Sequence, residues 1–133
     1  MKISKIEGIG PTFAKKLFKA GVKTTNGLLK VGAGRKGREE IAAKSGISKK
    51  LILEWVNLAD LMRVKGVGEE YSDLLEEAGV DTVKELRNRK AENLHAAILK
   101  VNEKKRLVRQ VPSKNMVENW ITQAKKLKPM VSN

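Results

Sequence analysis

The sequence predicts an all-α protein built from two tandem copies of one multi-helical unit. Three observations carry that prediction. No stretch shows the period-two alternation of a strand. Apolar residues recur at helical spacing between Ser/Thr and Gly punctuation. The first half of the chain also returns in the second: Ile6-Glu-Gly8-Ile9-Gly10 through Ala20-Gly21-Val22-Lys-Thr24 matches Val64-Lys-Gly66-Val67-Gly68 through Ala78-Gly79-Val80-Asp-Thr82 at an offset of 58. Phe18, matched by Glu76, is the main exception. Ser48, Trp55 and Ala59 match Ser113, Trp120 and Ala124 at an offset of 65, which places a short insertion near Lys90–Lys105. The copies are residues 1–62 and 63–133, joined near Leu61–Val64. No Pro/Gly/Ser-rich linker separates them, so they are expected to pack together.

In the first copy, Phe13, Leu17, Phe18 and Ala20–Gly21 put apolar groups on one helix face and leave Lys15, Lys16 and Lys19 outside. Gly21 is placed to stop that helix as a C′ glycine. Thr24 or Thr25 caps a short helix containing Leu28–Leu29. A third helix, about Arg38–Lys44, ends at Ser45-Gly46. Ser48 caps a longer one, about Lys49–Met62, with Leu51, Ile52, Trp55, Leu58 and Ala59 facing inward. The second copy repeats the plan, with Ser113 capping a helix that contains Val117–Leu127.

Composition narrows the function classes. The chain has 133 residues, no cysteine and one histidine, His95. Disulfide frameworks, thiolate metal sites and histidine clusters are therefore excluded, and no metal site is expected. No run approaches the roughly 20 apolar residues of a membrane span and Met1–Lys2–Ile3 begins no signal peptide, so a cytoplasmic, monomeric protein without a membrane partner is expected. The 28 Lys and Arg exceed the 15 Asp and Glu by 13. Such an excess favours an anionic partner, most often nucleic acid.

One motif invites a different reading. Gly32, Gly34 and Gly37 in "VGAGRKGREE" spell G-x-G-x-x-G. A dinucleotide loop needs a strand before it and a helix after it. The preceding "TTNGLLKV" reads as a capped helical turn instead. The phosphate-loop reading fails as well, since Arg38 and Glu39 stand where the lysine and the magnesium-binding hydroxyl belong. The stretch is expected to be a loop between helices, with Arg35, Lys36 and Arg38 as secondary phosphate contacts or as a solvated basic surface.

The glycines of "IEGIGPTFAKKL" and "VKGVGEEYSDLL" fit h-x-G-h-G-x-x-x-A-x-x-h, with Ser72 at the small position of the second. This pattern resembles the helix-hairpin-helix family of non-sequence-specific DNA-binding motifs. "AKSGISKKLILEWV" and "RQVPSKNMVENWI" resemble the second hairpin of a tandem pair. About residues 3–127 are covered, most similarly to an uncharacterised domain-of-unknown-function family with paired motifs. The resemblance implies two tandem helix-hairpin-helix pairs in SAM-like bundles. It also implies phosphate binding by turn amides, here Gly8, Ile9 and Gly10 with Thr12, Lys15 and Lys16, and Gly46, Ile47, Ser48 and Lys49 in the later hairpin. No organic cofactor is implied, though a monovalent cation at a hairpin is compatible with it. Physical chemistry points the same way, because amides at a helix N-terminus suit an anion and hold it without reading bases.

Charge separates the copies. Residues 5–29 hold five lysines against Glu7, a net +4, whereas residues 63–86 hold three basic residues against seven acidic ones, a net −4. Glu69 and Glu70 stand where a phosphate would go, so the Gly66–Gly68 hairpin is expected to be structural or to face a basic partner. Residues 87–133 return to +9, densest at Lys104, Lys105, Arg106 and Arg109. Lys104 and Lys105 are further candidate phosphate contacts. No carboxylate pair or lysine has a recognisable catalytic setting, and Trp55 and Trp120, at equivalent repeat positions, read as core anchors. The expected function is non-specific duplex DNA binding without enzymatic chemistry, in the nucleoid if DNA is the partner. An RNA duplex, or a protein scaffold docking a basic partner on the acidic 69–85 helix, are the alternatives.

Overall fold

The computed structural model describes residues 1–132. Among them are eight α-helices and a single 3₁₀ turn, Ile3–Lys5: α1 (Pro11–Lys19), α2 (Thr25–Gly32), α3 (Arg35–Ser45), α4 (Lys49–Leu61), α5 (Glu69–Glu77), α6 (Val83–Leu86), α7 (Ala91–Lys105) and α8 (Lys114–Lys126). The described residues hold no β-strand, only an isolated bridge between Lys2 and Thr24. The protein is all-α. It divides into two units, Met1–Asp60 together with the residues from Met130 on, and Leu61–Pro129.

The helix boundaries follow capping chemistry. The Thr24 hydroxyl accepts from the Gly27 N–H at 2.9 Å, Thr82 from Glu85 at 3.3 Å and Ser113 from Met116 at 3.1 Å. Gly46, at φ +73°, closes α3 in the left-handed region that suits glycine. Helix α3 starts three residues earlier than its apolar pattern predicts. Gly34 is its N-cap, and the first turn, Arg35-Lys36-Gly37, carries no apolar periodicity to mark it. The inserted residues of the second copy lengthen α7 to 15 residues, against 11 for α3, and extend the connection to α8.

In the first unit, α1 and α2 both pack on α3. Ile3, Ile6, Leu17, Leu28, Ile41 and Ile52 are buried at its core. The 3₁₀ turn, Ile3–Lys5, precedes the turn into α1. It is held by Ile3 N–H to Lys23 O (3.3 Å) and Thr25 N–H to Met1 O (3.0 Å). In the second unit, α7 packs on α8 and α5, around a core that includes Leu74, Leu75, Leu86, Leu94, Ile98 and Trp120. The Gln123 side chain holds Lys65 by both backbone groups, accepting from its N–H at 2.8 Å and donating to its carbonyl at 3.0 Å. His95 is a tie of the same kind, its Nε2 lying 3.0 Å from the Pro112 carbonyl.

Two of the G-x-G-x-x-G glycines, Gly32 and Gly37, are packing devices. A Cβ on Gly37 would lie 1.7 Å from the Val31 carbonyl oxygen, and one on Gly32 would lie 2.7 Å from Val56 Cγ2. Glycine at 37 lets α3 approach α2 this closely and glycine at 32 lets α2 approach Val56 of α4, which accounts for both residues without any nucleotide.

Candidate nucleic-acid interface

The segment Ile6–Gly10 turns tightly into α1. Gly8 has φ +92°, and the Ile9 N–H donates to the Ile6 carbonyl at 3.1 Å while its side chain is buried. Gly10 is the N-cap and Pro11 the first helical residue, so that position has no N–H to satisfy. Ala14 is the first residue to return a helical bond, to Gly10 O at 2.9 Å. Among the described residues, the N–H groups of Gly8, Gly10, Thr12 and Phe13 have no acceptor. No side chain caps this end, and no acidic residue lies in the first turn. Exposed Thr12, Lys15 and Lys16 flank it. Open amides and the positive end of a helix dipole therefore meet at one exposed turn, with Lys15 and Lys16 exposed one turn further along α1.

Aromatic packing fixes that point from below. Trp55 lies beneath the turn, its indole nitrogen 3.5 Å from where a Cβ on Gly8 would stand. Phe13 meets the indole edge-on with centroids 5.1 Å apart, and the Lys16 ammonium sits 5.9 Å from the Phe13 centroid, within cation–π reach.

The second unit reproduces this backbone and inverts its charge. Gly66 has φ +96°, Val67 donates to Val64 O at 3.1 Å, and Ser72 donates to Gly68 O at 2.9 Å. Trp120 and Tyr71 take the places of Trp55 and Phe13, with centroids 5.3 Å apart. Glu69 and Glu70 occupy the first turn of α5, where they complement the helix dipole and repel a phosphate.

Several expected contacts are engaged elsewhere in the chain. The Ile9 amide is spent on Ile6. At the later hairpin, the Gly46 N–H donates to Ala42 O at 2.9 Å and the Ile47 N–H to Ser45 Oγ at 3.2 Å. Ser48 caps α4, accepting from the Leu51 N–H at 3.3 Å, and among the described residues the amides of Ser48, Lys49 and Lys50 have no acceptor. Arg38 is not a surface cation. It is 5% exposed, and its guanidinium donates to Gly32 O, Ala33 O and Ser132 O at 2.9, 3.0 and 2.6 Å. Burial, and then the nearby Arg35 charge, lower its pKa. Lys105 is paired with Glu77; that hydrogen bond and the Glu77 charge raise its pKa. Lys36 and Lys104 remain exposed.

The structure also brings together residues far apart in sequence. Arg35 and Arg38 at the start of α3 and Lys49 and Lys50 at the start of α4 line one groove of about 410 Å³ with Leu53. Sequence reasoning missed the Phe13 amide, Lys50 and Leu53. Pro11 was the available signal for the first, since proline at N1 shifts the open donors to the next two residues.

Among the described residues, no helix is long and apolar enough to cross a membrane. Residues 7–127 match the family described as "Domain of unknown function (DUF4332)", and the chain belongs to that family. No curated protein and no solved structure matches it.

Proposed function

We propose that this member of the DUF4332 family binds duplex DNA without sequence specificity, through backbone phosphates, using turns of the helix-hairpin-helix type. The observation that carries the reading is the N-terminus of α1. There, the amides of Gly10, Thr12 and Phe13 have no acceptor, no acid lies in the first turn, and Lys15 and Lys16 are exposed beside them. A phosphate oxygen supplies the missing acceptor, and the two lysines supply counter-charge. Contacts of this kind position a duplex and carry no base information. The second unit, with Glu69 and Glu70 at the equivalent turn, takes no direct part. The role is one of binding rather than chemistry, and an RNA duplex is a competitor because the turn does not inspect the 2′-OH.

The test is a ¹H–¹⁵N titration with a short DNA duplex. Gly10, Thr12 and Phe13 amides shift together and early, while Gly68, Glu69 and Glu70 stay in place. Shifts confined to the second unit, or none at the α1 turn, refute the reading.

A further inference from the structure

The core of the first unit contains a polar donor that the chain itself leaves unused. Trp55 is 2% exposed, and among the described residues its indole N–H has no hydrogen-bond acceptor. An indole nitrogen can only donate, and a buried one ordinarily finds a partner, because a donor removed from water without an acceptor is costly. The position of this nitrogen shows where a partner fits. It lies under the Gly8 turn, 3.5 Å from where a Cβ on Gly8 would stand. Among the described residues, and apart from the adjoining residues 7 and 9, no other heavy atom comes within 4 Å of that point. Gly8 is exposed, so the space left by its missing side chain opens to solvent directly above the indole N–H.

We infer that the Trp55 indole N–H is a binding donor of the α1 turn: it donates to a phosphate oxygen of the bound nucleic-acid backbone, seated where Gly8 lacks a side chain. The inference rests on the reading of that turn as a phosphate site. Lys15 and Lys16 are exposed, flexible cations, whereas Trp55 is a neutral donor held by the core, with Phe13 packed edge-on against it at 5.1 Å between centroids. A side chain already fixed loses little conformational entropy when it forms a hydrogen bond. The Gly8 N–H, which also has no acceptor among the described residues, belongs to the same turn. The second unit holds the same donor. Trp120 is 2% exposed, its nitrogen lies 3.2 Å from where a Cβ on Gly66 would stand, and its N–H has no acceptor among the described residues. There Glu69 and Glu70 in the first turn of α5 repel an anion, so a phosphate does not reach it. The donor is a property of the repeated scaffold, and charge decides which copy uses it.

The experiment is a ¹H–¹⁵N titration of the full chain with a short DNA duplex, read at the indole resonances. The chain has two tryptophans, so two indole signals are assigned by Trp55→Phe and Trp120→Phe. The Trp55 indole proton is expected to move downfield and to exchange more slowly with water, in step with the Gly10, Thr12 and Phe13 amides, while the Trp120 signal stays in place. An unmoved Trp55 indole signal while those amides shift overturns the inference and leaves the α1 phosphate reading standing. If neither responds to duplex, the nucleic-acid reading falls, and a titration with inorganic phosphate judges the donor alone. An indole shift then keeps the donor and overturns nucleic acid as its source; no shift overturns the donor. Affinity supplies a second readout, with folding checked by circular dichroism. Trp55→Phe keeps a ring against Phe13 and removes the N–H, so duplex binding is expected to weaken about tenfold, as for one hydrogen bond to a charged group. The log–log salt slope is expected to stay at the wild-type value because no cation is lost. Trp120→Phe is expected to bind as wild type does. A folded Trp55→Phe that binds as tightly as wild type overturns the inference.

Discussion

The Trp55 indole nitrogen lies 3.5 Å from the point where a Cβ on Gly8 would stand, so a buried core residue of the first unit presses directly against the exposed Gly8 turn. The second unit repeats the arrangement between Trp120 and Gly66 at 3.2 Å. In each, a left-handed glycine and an indole from a distant helix fix one backbone shape. The charge placed on that shape then decides what approaches it. Lysines follow the turn in one unit and glutamates in the other, so a single scaffold carries opposite electrostatics.

Gly8→Ala tests the scaffold. A side chain at φ +92° costs about 1–2 kcal/mol. Urea denaturation is expected to show that loss, with the amides of Gly10 and Thr12 shifting in NMR spectra of the folded variant.

Gly37→Ala is expected to be the more damaging change. Its Cβ would overlap the Val31 carbonyl, and backbone must move to admit it. Overpacking of this kind costs about 3 kcal/mol or more. The midpoint of urea unfolding should fall well below that of Gly34→Ala, where a Cβ meets nothing within 4 Å.

Arg38→Met keeps the aliphatic stem and removes three hydrogen bonds. The Gly32 carbonyl is then left buried and unpaired, a loss of about 1–3 kcal/mol. Hydrogen exchange at Ser132, whose N–H donates to Ala33 O at 2.9 Å, is expected to accelerate as the C-terminal segment detaches.

The Lys105–Glu77 pair gives a pH signature. Its folded pKa is raised above the ordinary 10.5, so its stabilisation is fully present below that value and is lost as pH rises through the folded pKa. Lys105→Met should therefore melt below wild type at pH 8, and the two curves should converge in strongly alkaline solution. Because the lysine is solvent-exposed, added salt should narrow the gap at pH 8 as well.

Much of the fold was legible because the repeat doubled the signal. Gly8 and Gly66, Phe13 and Tyr71, and Trp55 and Trp120 recur at matched positions, and the cap residues Thr24, Ser48, Thr82 and Ser113 mark helix starts by their own chemistry. The site was less legible, for reasons visible at particular residues. Arg38 sits in "GRKGREE", which reads as a solvated basic loop. Its burial depends on Gly37 drawing α3 onto α2 and on the distant Ser132 carbonyl. The amides of Ile9, Gly46 and Ile47 were expected to be open. Whether an amide is already spent within its own turn is a matter of three-dimensional geometry that spacing does not record. The groove lined by Arg35, Lys49 and Lys50 likewise exists only once the starts of α3 and α4 are brought together by the fold.

In the proposed function the α1 turn clamps phosphate and its charge-inverted copy does not. The most direct measurement is the salt dependence of duplex binding by wild type, Lys15→Glu/Lys16→Glu and Glu69→Lys/Glu70→Lys, read by fluorescence anisotropy. A phosphate clamp at α1 gives a steep negative slope for wild type, a shallower slope and weaker binding for the first variant, and a steeper slope and tighter binding for the second. Wild-type binding that is absent near physiological salt, or that is untouched by the Lys15 and Lys16 reversals, would contradict it and direct attention to the acidic face of α5 as a docking surface for a basic protein.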